Sequence, residues 1–272
     1  MENKKVFITF GGPSQEYRNA TKRVAESAKQ FGIFTNSIGL NDDFLRGQPD
    51  FWKKHGKFLE TNQRGYGYWL WKPYIIKTFL DKLQDGDILV YADAGCVMNL
   101  NGLPRLNEYI EMLNTNELGY GILSFQMHQH QEVYWTKRGL LEYINSDLDC
   151  SNDLSLVNDL SQSNLEQHFR TNMNYEDMLL SGQCIATTMI IKKNAHSTMV
   201  INKWLQLAEH YELINDDKMN PENHNFRDHR HDQSIYSLLV KKYGSVKIPD
   251  ETWYANWADG KHIPILAMRI RS

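Results

Sequence analysis

Asp93 is the side chain in this sequence whose position most directly suggests chemistry. It follows Asp87–Tyr91, a run with the composition of a buried strand, and it comes just before Ala94 and Gly95. In open α/β sheets, ligands bind at the carboxyl ends of the strands. A carboxylate at such a place can hold a divalent cation that bridges the oxygens of a bound diphosphate. The alternative is an aspartate that only shapes a turn or caps a helix.

A second segment, Arg64–Tyr74, combines two glycines, several aromatic rings and two cations. Glycine lets a backbone approach a ligand closely, the rings can stack on a base or a sugar, and Lys72 can neutralise a phosphate. The alternative is structural, because aromatic residues at helical spacing usually pack in a core and cations at a helix start often extend to solvent. Both interpretations stay open for Lys72 and Arg64.

A third segment, Asp228–Ser234, concentrates titratable and amide side chains directly before a predicted helix. Such a loop can bind a substrate or supply catalytic groups. The structural alternative is that Asp232 caps the helix and that His229 and His231 are solvated. The adjacent His-Asp pair also resembles metal-dependent phosphohydrolases, which need further His and Asp ligands that the sequence does not single out.

Two weaker features remain. The alternating histidines of Met127–Gln131 can ligate a metal if they lie on a strand, but such a pair more often belongs to a polar surface. The aromatic segment Trp253–Trp257 can form a platform for a sugar or can pack against the core; we favour packing for Trp253 and leave Trp257 open. The sequence contains no Gly-Lys-Ser/Thr phosphate loop, no Gly-x-Ser-x-Gly motif and no cysteine pair with zinc spacing.

The hydrophobic pattern predicts an α/β scaffold that can bring these segments together. Val6–Phe10 is a buried strand ending at Gly11, and residues 17–31 carry apolar side chains on one helical face up to Gly32. With a second strand at 34–38, this is the start of a nucleotide-binding α/β sheet. Further on, the pattern predicts helices at 65–84, 104–113, 195–211 and 233–243, strands at 87–91, 120–125 and 185–191, a polar loop at 215–231, and a surface insertion or polar helix at 145–168.

Length and composition indicate an ordinary globular protein. The chain has 272 residues, of which 41% are hydrophobic and 23% charged, and this fits one α/β domain with extensions. A net charge of −3 gives no reason to expect a nucleic-acid partner, because phosphate-binding surfaces carry excess Lys and Arg. Three cysteines without metal-type spacing, Cys96, Cys150 and Cys184, predict free thiols in a reducing compartment.

The pattern also bears on membranes and targeting. No apolar stretch approaches the roughly 20 residues that span a bilayer. The apolar run after Met1–Lys5 is too short for a signal sequence. We therefore predict a cytoplasmic protein, with peripheral membrane association still open.

Taken in order, several segments resemble the GT-A glycosyltransferases, in particular sugar transferases of capsule, lipopolysaccharide or viral glycan pathways. The matching segments are Phe10-Gly11-Gly12, Tyr17-Arg18, Arg64–Tyr74, Asp87–Gly95, Ser181-Gly182-Gln183 and His231-Asp232-Gln233. The resemblance implies one GT-A-like domain with a mostly parallel central sheet, in which residues 1–125 bind the nucleotide and residues 126–272 bind the acceptor. It implies transfer of a sugar from a nucleotide-sugar, commonly a UDP-sugar, to a glycan or other hydroxyl acceptor.

The resemblance also implies a metal site, with one departure. Asp93 aligns with the first aspartate of the family's Asp-x-Asp metal motif, but Gly95 stands in place of the second. Either Asp93 holds Mn²⁺ or Mg²⁺ together with water and a residue such as His262, or cations such as Lys72 and Arg18 replace the metal. We favour the divalent cation.

Asp232 and Gln233 match the family position that contacts the donor sugar or acts near the acceptor, and they are the predicted catalytic residues. If the enzyme inverts the anomeric configuration, Asp232 is the predicted general base. The predicted donor-binding residues are Phe10, Gly11, Gly12, Tyr17, Arg18, Arg64, Tyr68, Trp71, Lys72, Tyr91, Ala92, Asp93, Ala94 and Gly95. A metal-dependent phosphohydrolase and a non-catalytic nucleotide- or glycan-binding protein are the alternatives.

Overall fold

The computed structural model describes residues 3–149, 160–218 and 221–270. Within these ranges the strands are β1 (Lys5–Phe10), β2 (Asn36–Leu40), β3 (Ile88–Ala92), β4 (Val97–Met98), β5 (Ile122–Gln131), β6 (Gly182–Cys184), β7 (Thr188–Lys192), β8 (Val246–Pro249) and β9 (Ile265–Leu266). The helices are α1 (Gln15–Lys29), α2 (Asp42–Arg46), α3 (Pro49–Thr61), α4 (Gly65–Tyr68), α5 (Trp71–Leu80), α6 (Leu103–Asn114), α7 (Glu132–Trp135), α8 (Arg138–Asp149), α9 (Leu160–Phe169), α10 (Tyr175–Leu180), α11 (Ala195–Ala208), α12 (Tyr211–Ile214) and α13 (Asp232–Lys242).

Seven strands form one mixed sheet in the order β2-β1-β3-β7-β5-β6, with β8 paired to β5. β1 is parallel to β2 and β3, β5 is parallel to β8, and β7 is antiparallel to both β3 and β5. The strands β1, β2, β3, β5 and β8 therefore run in the same direction and end at one edge of the sheet. The predicted α/β architecture with a mostly parallel sheet flanked by helices is confirmed.

The residues of β3 alternate between two cores. Leu89 and Tyr91 pack with side chains of α5, α11 and α13, whereas Ile88, Val90 and Ala92 pack with side chains of α1 and α6. All five are buried, and a strand covered on both faces needs the uninterrupted apolar run that the sequence shows. The sheet is thus the middle layer of three.

The first helix confirms its predicted pattern. Ala20, Val24 and Ala28 are fully buried, and the Ser14 hydroxyl caps the helix by accepting a hydrogen bond from a backbone N–H of the first turn. Gly32, with a φ of +69°, follows the helix in a conformation that favours glycine.

The predicted helix over residues 65–84 is wrong in its first part. Every residue of Gly65–Trp69 has a positive φ, between 51° and 80°, so α4 belongs to a left-handed turn. The N–H groups of Tyr68 and Trp69 donate to the carbonyls of Arg64 and Gly65, over 2.8 and 3.1 Å. Because spacing of apolar residues does not report the handedness of the backbone, the sequence pattern could not separate this turn from the right-handed helix that begins at Trp71.

Other boundaries also differ from the prediction. β2 lies at residues 36–40, two residues later than predicted, and β5 continues to Gln131 across the predicted division between residues 125 and 126. The two predicted parts therefore share a strand, and their separate binding roles stay predictions. The strand predicted at 185–191 corresponds to β7, which begins three residues later than predicted, and β4, β6, β8, β9, α2 and α3 were not predicted.

Part of the predicted insertion at 145–168, including Cys150, lies outside the described residues. Cys96 and Cys184 are free and buried, as predicted for reduced thiols. None of the helices in the described ranges combines the length and the apolar character needed to cross a membrane.

Candidate active site

A buried lysine joins two carboxylates at the carboxyl edge of the sheet. Nζ of Lys72 lies 3.1 Å from Oδ1 of Asp93 and 3.0 Å from Oδ2 of Asp232. It also donates a hydrogen bond of 3.1 Å to the carbonyl of Ala186. The Lys72 and Asp232 side chains are 3% and 6% exposed, whereas that of Asp93 is 31% exposed, so solvent reaches the group mainly at Asp93. We call Lys72, Asp93 and Asp232 the charged triad.

Three separate elements position the triad. Lys72 lies in the first turn of α5, directly after the left-handed turn. Asp93 follows β3, and its N–H donates to the carbonyl of Thr187 over 2.9 Å. Asp232 is the first residue of α13 rather than its cap, and its carbonyl accepts a 2.9 Å hydrogen bond from Nε1 of Trp204. The three side chains that the sequence singled out separately are therefore brought together by the fold.

The triad contains one positive and two negative groups, and their pKa values reflect this imbalance. Burial favours a lower pKa for Lys72, but the Asp232 and Asp93 carboxylates outweigh it and raise the pKa, so Lys72 is charged at neutral pH. Burial raises the pKa of Asp232 to about 6, against the opposing effect of Lys72. Oδ2 of Asp232 is buried and has no aligned hydrogen-bond donor among the described residues, although Lys72 lies within ion-pair distance. One ammonium thus faces two carboxylates.

Tyr91 orients Asp93. Its hydroxyl donates a 2.6 Å hydrogen bond to Oδ1 of Asp93, the oxygen that also faces Lys72. Burial, followed by the charge of Asp93, raises the pKa of Tyr91 well above its ordinary value, so the phenol stays protonated and remains a donor.

A resident divalent cation does not fit the triad. Such an ion needs several oxygen ligands free to converge on it, whereas the facing oxygens of Asp93 and Asp232 already share the Lys72 ammonium. His262 is exposed and lines a cavity of about 390 Å³ with Arg105 and other residues, Asp93 not among them. In the part of the chain that the structure describes, no group of three His, Cys, Asp or Glu side chains is arranged to hold a metal. The predicted metal role of Asp93 and His262 finds no support in these contacts.

The predicted glycines lie where backbones approach closely. A Cβ on Gly11 would lie 2.8 Å from the carbonyl of Tyr17 and 3.1 Å from Cβ of Ala94, so the ends of β1 and β3 pack against each other. A Cβ on Gly95 would lie 3.1 Å from Cα of Arg269. A side chain at position 95 would therefore require the backbone at Arg269 to move by a few tenths of an ångström.

Arg18 and Gly12 meet at the end of β1. The Arg18 guanidinium contacts Asp42 and Asp43, each over 2.7 Å, and a Cβ on Gly12 would lie 2.7 Å from Oδ1 of Asp42. Tyr17 is half-buried in the first turn of α1. The structure therefore brings these predicted residues together, but two carboxylates already match the charge of Arg18.

Arg64 and Tyr68 connect the left-handed turn to the loop before α13. Arg64 forms ion pairs with Asp216 and Asp228, over 2.9 and 2.6 Å. The Tyr68 ring stacks on His231 with a centroid separation of 4.9 Å. The charge of Arg64 is thus also matched by carboxylates.

The remaining predicted donor residues are core side chains next to the triad. The rings of Phe10 and Trp71 lie 4.1 Å apart between centroids, and Nε1 of Trp71 donates to the carbonyl of Gly65 over 3.0 Å. Ala92 and Ala94 are also buried. Their donor-binding role stays a prediction, and their visible role is to support the site.

Both loop histidines are buried rather than solvated. Nε2 of His229 donates to the carbonyl of Leu213 (3.0 Å), and its Nδ1 accepts from the N–H of Lys137 (3.4 Å). Nδ1 of His231 donates to the carbonyl of Ile214 (2.7 Å). Burial lowers the pKa of His231 to about 4 and lowers the pKa of His229 well below its ordinary value, so both rings are neutral. They fasten the loop to α12, and this leaves the phosphohydrolase alternative without its proposed ligands.

Gln233 connects the site to a buried polar network that sequence reasoning missed. Its Oε1 accepts from the N–H of Ala186 (3.3 Å), and its Nε2 donates to Oε1 of Gln183 (2.8 Å). Gln183 in turn donates to the carboxylate of Glu132, which pairs with Lys241 over 2.6 Å. Glu132 and Lys241 are more than one hundred residues apart, and no pattern in the sequence indicates that they pair.

The weaker aromatic and histidine features lie at the same edge. Trp253 is 59% exposed, so its predicted packing in the core is wrong, and it meets Trp257 edge-on with a centroid separation of 6.4 Å. His130, at the end of β5, lies 5.2 Å from the ring of Trp135 and not in a metal-binding group.

Comparisons with known proteins add little to this geometry. No protein-family model matches the chain, and no curated protein matches it in sequence. Among solved structures, the apo form of mouse xyloside xylosyltransferase 1 is similar with a TM-score of 0.43 and 11% sequence identity, covering 97% of this chain and 97% of that one. A likeness of this size carries no conclusion about activity, which has to be argued from the site.

Proposed function

We propose that this chain is a glycosyltransferase that moves a sugar from a nucleotide-sugar donor to a hydroxyl group of an acceptor. The observation that supports the proposal is the charged triad, which places a partly open carboxylate and a buried one at the ligand-binding edge of an α/β sheet. The order of the sequence segments that resemble GT-A transferases favours the same reaction, with a UDP-sugar as donor and a glycan as acceptor.

In the proposed reaction Asp232 is the general base. Its pKa of about 6 leaves it mostly ionised at neutral pH and basic enough to accept a proton. The acceptor hydroxyl gives its proton to Asp232 while its oxygen bonds to the anomeric carbon. The bond from that carbon to the diphosphate breaks, and the nucleoside diphosphate leaves with the electron pair. This assignment corresponds to inversion at the anomeric carbon.

Lys72 and Asp93 complete the arrangement. Two ionised carboxylates repel each other, and the Lys72 ammonium between them offsets this repulsion. We assign Asp93 to accept a hydrogen bond from a hydroxyl of the donor sugar, because it is the more exposed carboxylate and is oriented by Tyr91.

The direct test is Asp232→Asn, which keeps the shape of the side chain and removes the base. We expect transfer to fall by about 10²- to 10⁴-fold, the usual contribution of general base catalysis, with donor binding nearly retained. Asp43→Asn, which removes an exposed carboxylate paired with Arg18, is the matched control and should leave transfer unchanged. Product formation is measured by mass spectrometry over a panel of UDP-, GDP- and CMP-sugars with glycan acceptors.

The same panel separates the alternatives. Unchanged turnover in Asp232→Asn would refute the base assignment. Release of the sugar without any acceptor would indicate a hydrolase. Donor binding without transfer to any acceptor, with or without Mn²⁺, would indicate a non-catalytic binding protein.

A further inference from the structure

The cations that the sequence placed near the donor already have carboxylate partners. Lys72 is shared by Asp93 and Asp232, and Arg18 and Arg64 each contact two aspartates. With two carboxylates and one ammonium, the triad itself is net negative when Asp232 is ionised. A departing nucleoside diphosphate needs positive charge in the site. The triad cannot provide it, so other cations must.

Two arginines can supply this positive charge, one close in sequence to Asp232 and one in contact with the segment that follows Asp93. Arg230 lies two residues before Asp232, and its N–H donates to the carbonyl of Trp135 over 3.1 Å. The backbone of Arg269 lies against Gly95, and Gly95 is the second residue after Asp93. Neither arginine forms an ion pair with a carboxylate of residues 3–149, 160–218 or 221–270.

The surroundings of Arg230 indicate a place for an anion. Its guanidinium lies 4.2 Å from the centroid of the Trp135 ring, which holds the group flat without neutralising it. Its Nε is buried and has no hydrogen-bond acceptor among the described atoms. Burial lowers the pKa of Arg230; the charge of Asp228 opposes this effect, and the charges of Arg269 and Arg64 add to it. Arg230 and Arg269 therefore lie within each other's electrostatic range.

The segment that carries Arg269 is fastened to the end of β3. The N–H of Ile270 donates to the carbonyl of Gly95 over 2.9 Å. Arg23 donates to the carbonyls of both Ile270 and Ala94, each over 3.1 Å. Arg269 itself has a φ of +58°, so its backbone is held in a conformation that non-glycine residues rarely adopt. The exposed Arg269 side chain therefore starts from a fixed point beside Gly95.

We propose that Arg230 and Arg269 form a diphosphate subsite that binds the donor's leaving group without a divalent cation. The inference rests on the proposed function, since the ligand is the nucleoside diphosphate part of the donor. A guanidinium presents its N–H groups in a fork that matches two phosphate oxygens, and two such groups can replace the charge that a metal supplies. This also accounts for the absence of a metal-binding donor set at the triad.

The test measures binding of inorganic pyrophosphate and UDP in EDTA by titration calorimetry, with uridine as the ligand that lacks phosphate. We expect the wild-type chain to bind both phosphate ligands, and Arg230→Gln and Arg269→Gln each to weaken that binding by about tenfold or more, the size of a lost charge-assisted contact. Neither ligand should need added Mn²⁺ in order to bind.

Arg46→Gln is the matched control. Arg46 also lies over an indole, 4.4 Å from the centroid of Trp52, but it has carboxylate partners and lies outside the subsite. This variant should bind pyrophosphate like the wild type. Melting curves without ligand check that Arg230→Gln is folded; if it is not, Arg269→Gln alters an exposed side chain and carries the test alone.

Wild-type affinity in Arg269→Gln, no binding of either phosphate ligand in EDTA, or a requirement for Mn²⁺ would each overturn the subsite. These outcomes differ from a failure of the proposed function. Sugar transfer with unweakened binding in both variants would refute the subsite alone. Weakened binding in both variants without transfer to any acceptor would refute the transferase and leave the subsite standing.

Discussion

Among the described residues, two buried groups of lysine and carboxylate side chains differ in how completely their charges are matched. In the first, Glu132 and Lys241 are both 0% exposed and lie 2.6 Å apart. Oε1 of Glu132 also accepts from Ser237, and Oε2 accepts from Thr136 and Gln183. In the second, the charged triad, the Lys72 ammonium is the one cation between two carboxylates, and Tyr91 donates a hydrogen bond to one of them, Asp93. One of the facing oxygens, Oδ2 of Asp232, lacks an aligned donor.

The difference separates a structural group from a functional one. A buried polar network in which every oxygen is satisfied makes the packing of its elements specific. A group with an unmatched negative charge and one exposed carboxylate is stabilised when it binds a proton or a ligand. Similar residue types therefore serve different purposes, and the number of partners tells them apart.

The largest effect on stability is expected from breaking the matched pair. Lys241→Met leaves the Glu132 carboxylate buried without its cation, which should lower the free energy of unfolding by about 3–5 kcal/mol. Urea denaturation monitored by circular dichroism measures the loss. Lys77→Met removes the exposed pair with Asp81 and should cost at most about 1 kcal/mol. Equal losses in the two variants would contradict the comparison.

The second prediction, of intermediate size, concerns how the rate of transfer depends on pH and how Lys72 changes that dependence. Wild-type kcat/KM should fall as the pH drops below about 6, because Asp232 becomes protonated and can no longer act as the base. Lys72 holds the pKa of Asp232 down, so Lys72→Met should move this acid limb to higher pH. A pH–rate profile for each protein gives the answer, and an acid limb that stays in place or moves down would show that Lys72 does not control Asp232.

The smallest effect is expected on stability as a function of pH. The pKa of Asp232 is raised from 3.8 to about 6 in the fold, so the folded chain binds this proton more tightly than the unfolded chain. The stabilisation is fully present below pH 3.8 and is lost as the pH rises through about 6. The wild type should therefore lose stability relative to Asp232→Asn across this window. Urea denaturation of both proteins at several pH values measures this. A difference in unfolding free energy that does not change with pH would contradict the raised pKa.

The sequence predicted the members of the triad but not their association. Asp93 and Asp232 could be found because a strand end and a helix start are visible as changes in hydrophobic pattern, and Lys72 because it lies among rings and glycines. Their shared ion pair depends on three elements that are distant along the chain, and no local pattern reports it.

Arg230 and Arg269 were missed for a related reason. Arg18, Arg64 and Lys72 were predicted to bind the donor because of their neighbours in the sequence. In the fold, each of them pairs with carboxylates. Whether a cation lacks a partner is a property of the tertiary structure. Among the strands that were not predicted, β8 is the longest, and its four residues alternate between half-buried and exposed and end in a proline.

The left-handed turn Gly65–Trp69 has a consequence for engineering. Three of its residues are aromatic, and each adopts a conformation that costs about 1–2 kcal/mol relative to the right-handed one. The Tyr68 ring holds the turn by stacking on His231, and α5 begins immediately after it, with Lys72 as its second residue. Thermostabilisation that relaxed this turn would release the start of α5. Robustness of the fold and placement of the ammonium therefore trade against each other here, and a more heat-resistant variant that keeps its chemistry has to gain its stability elsewhere in the chain.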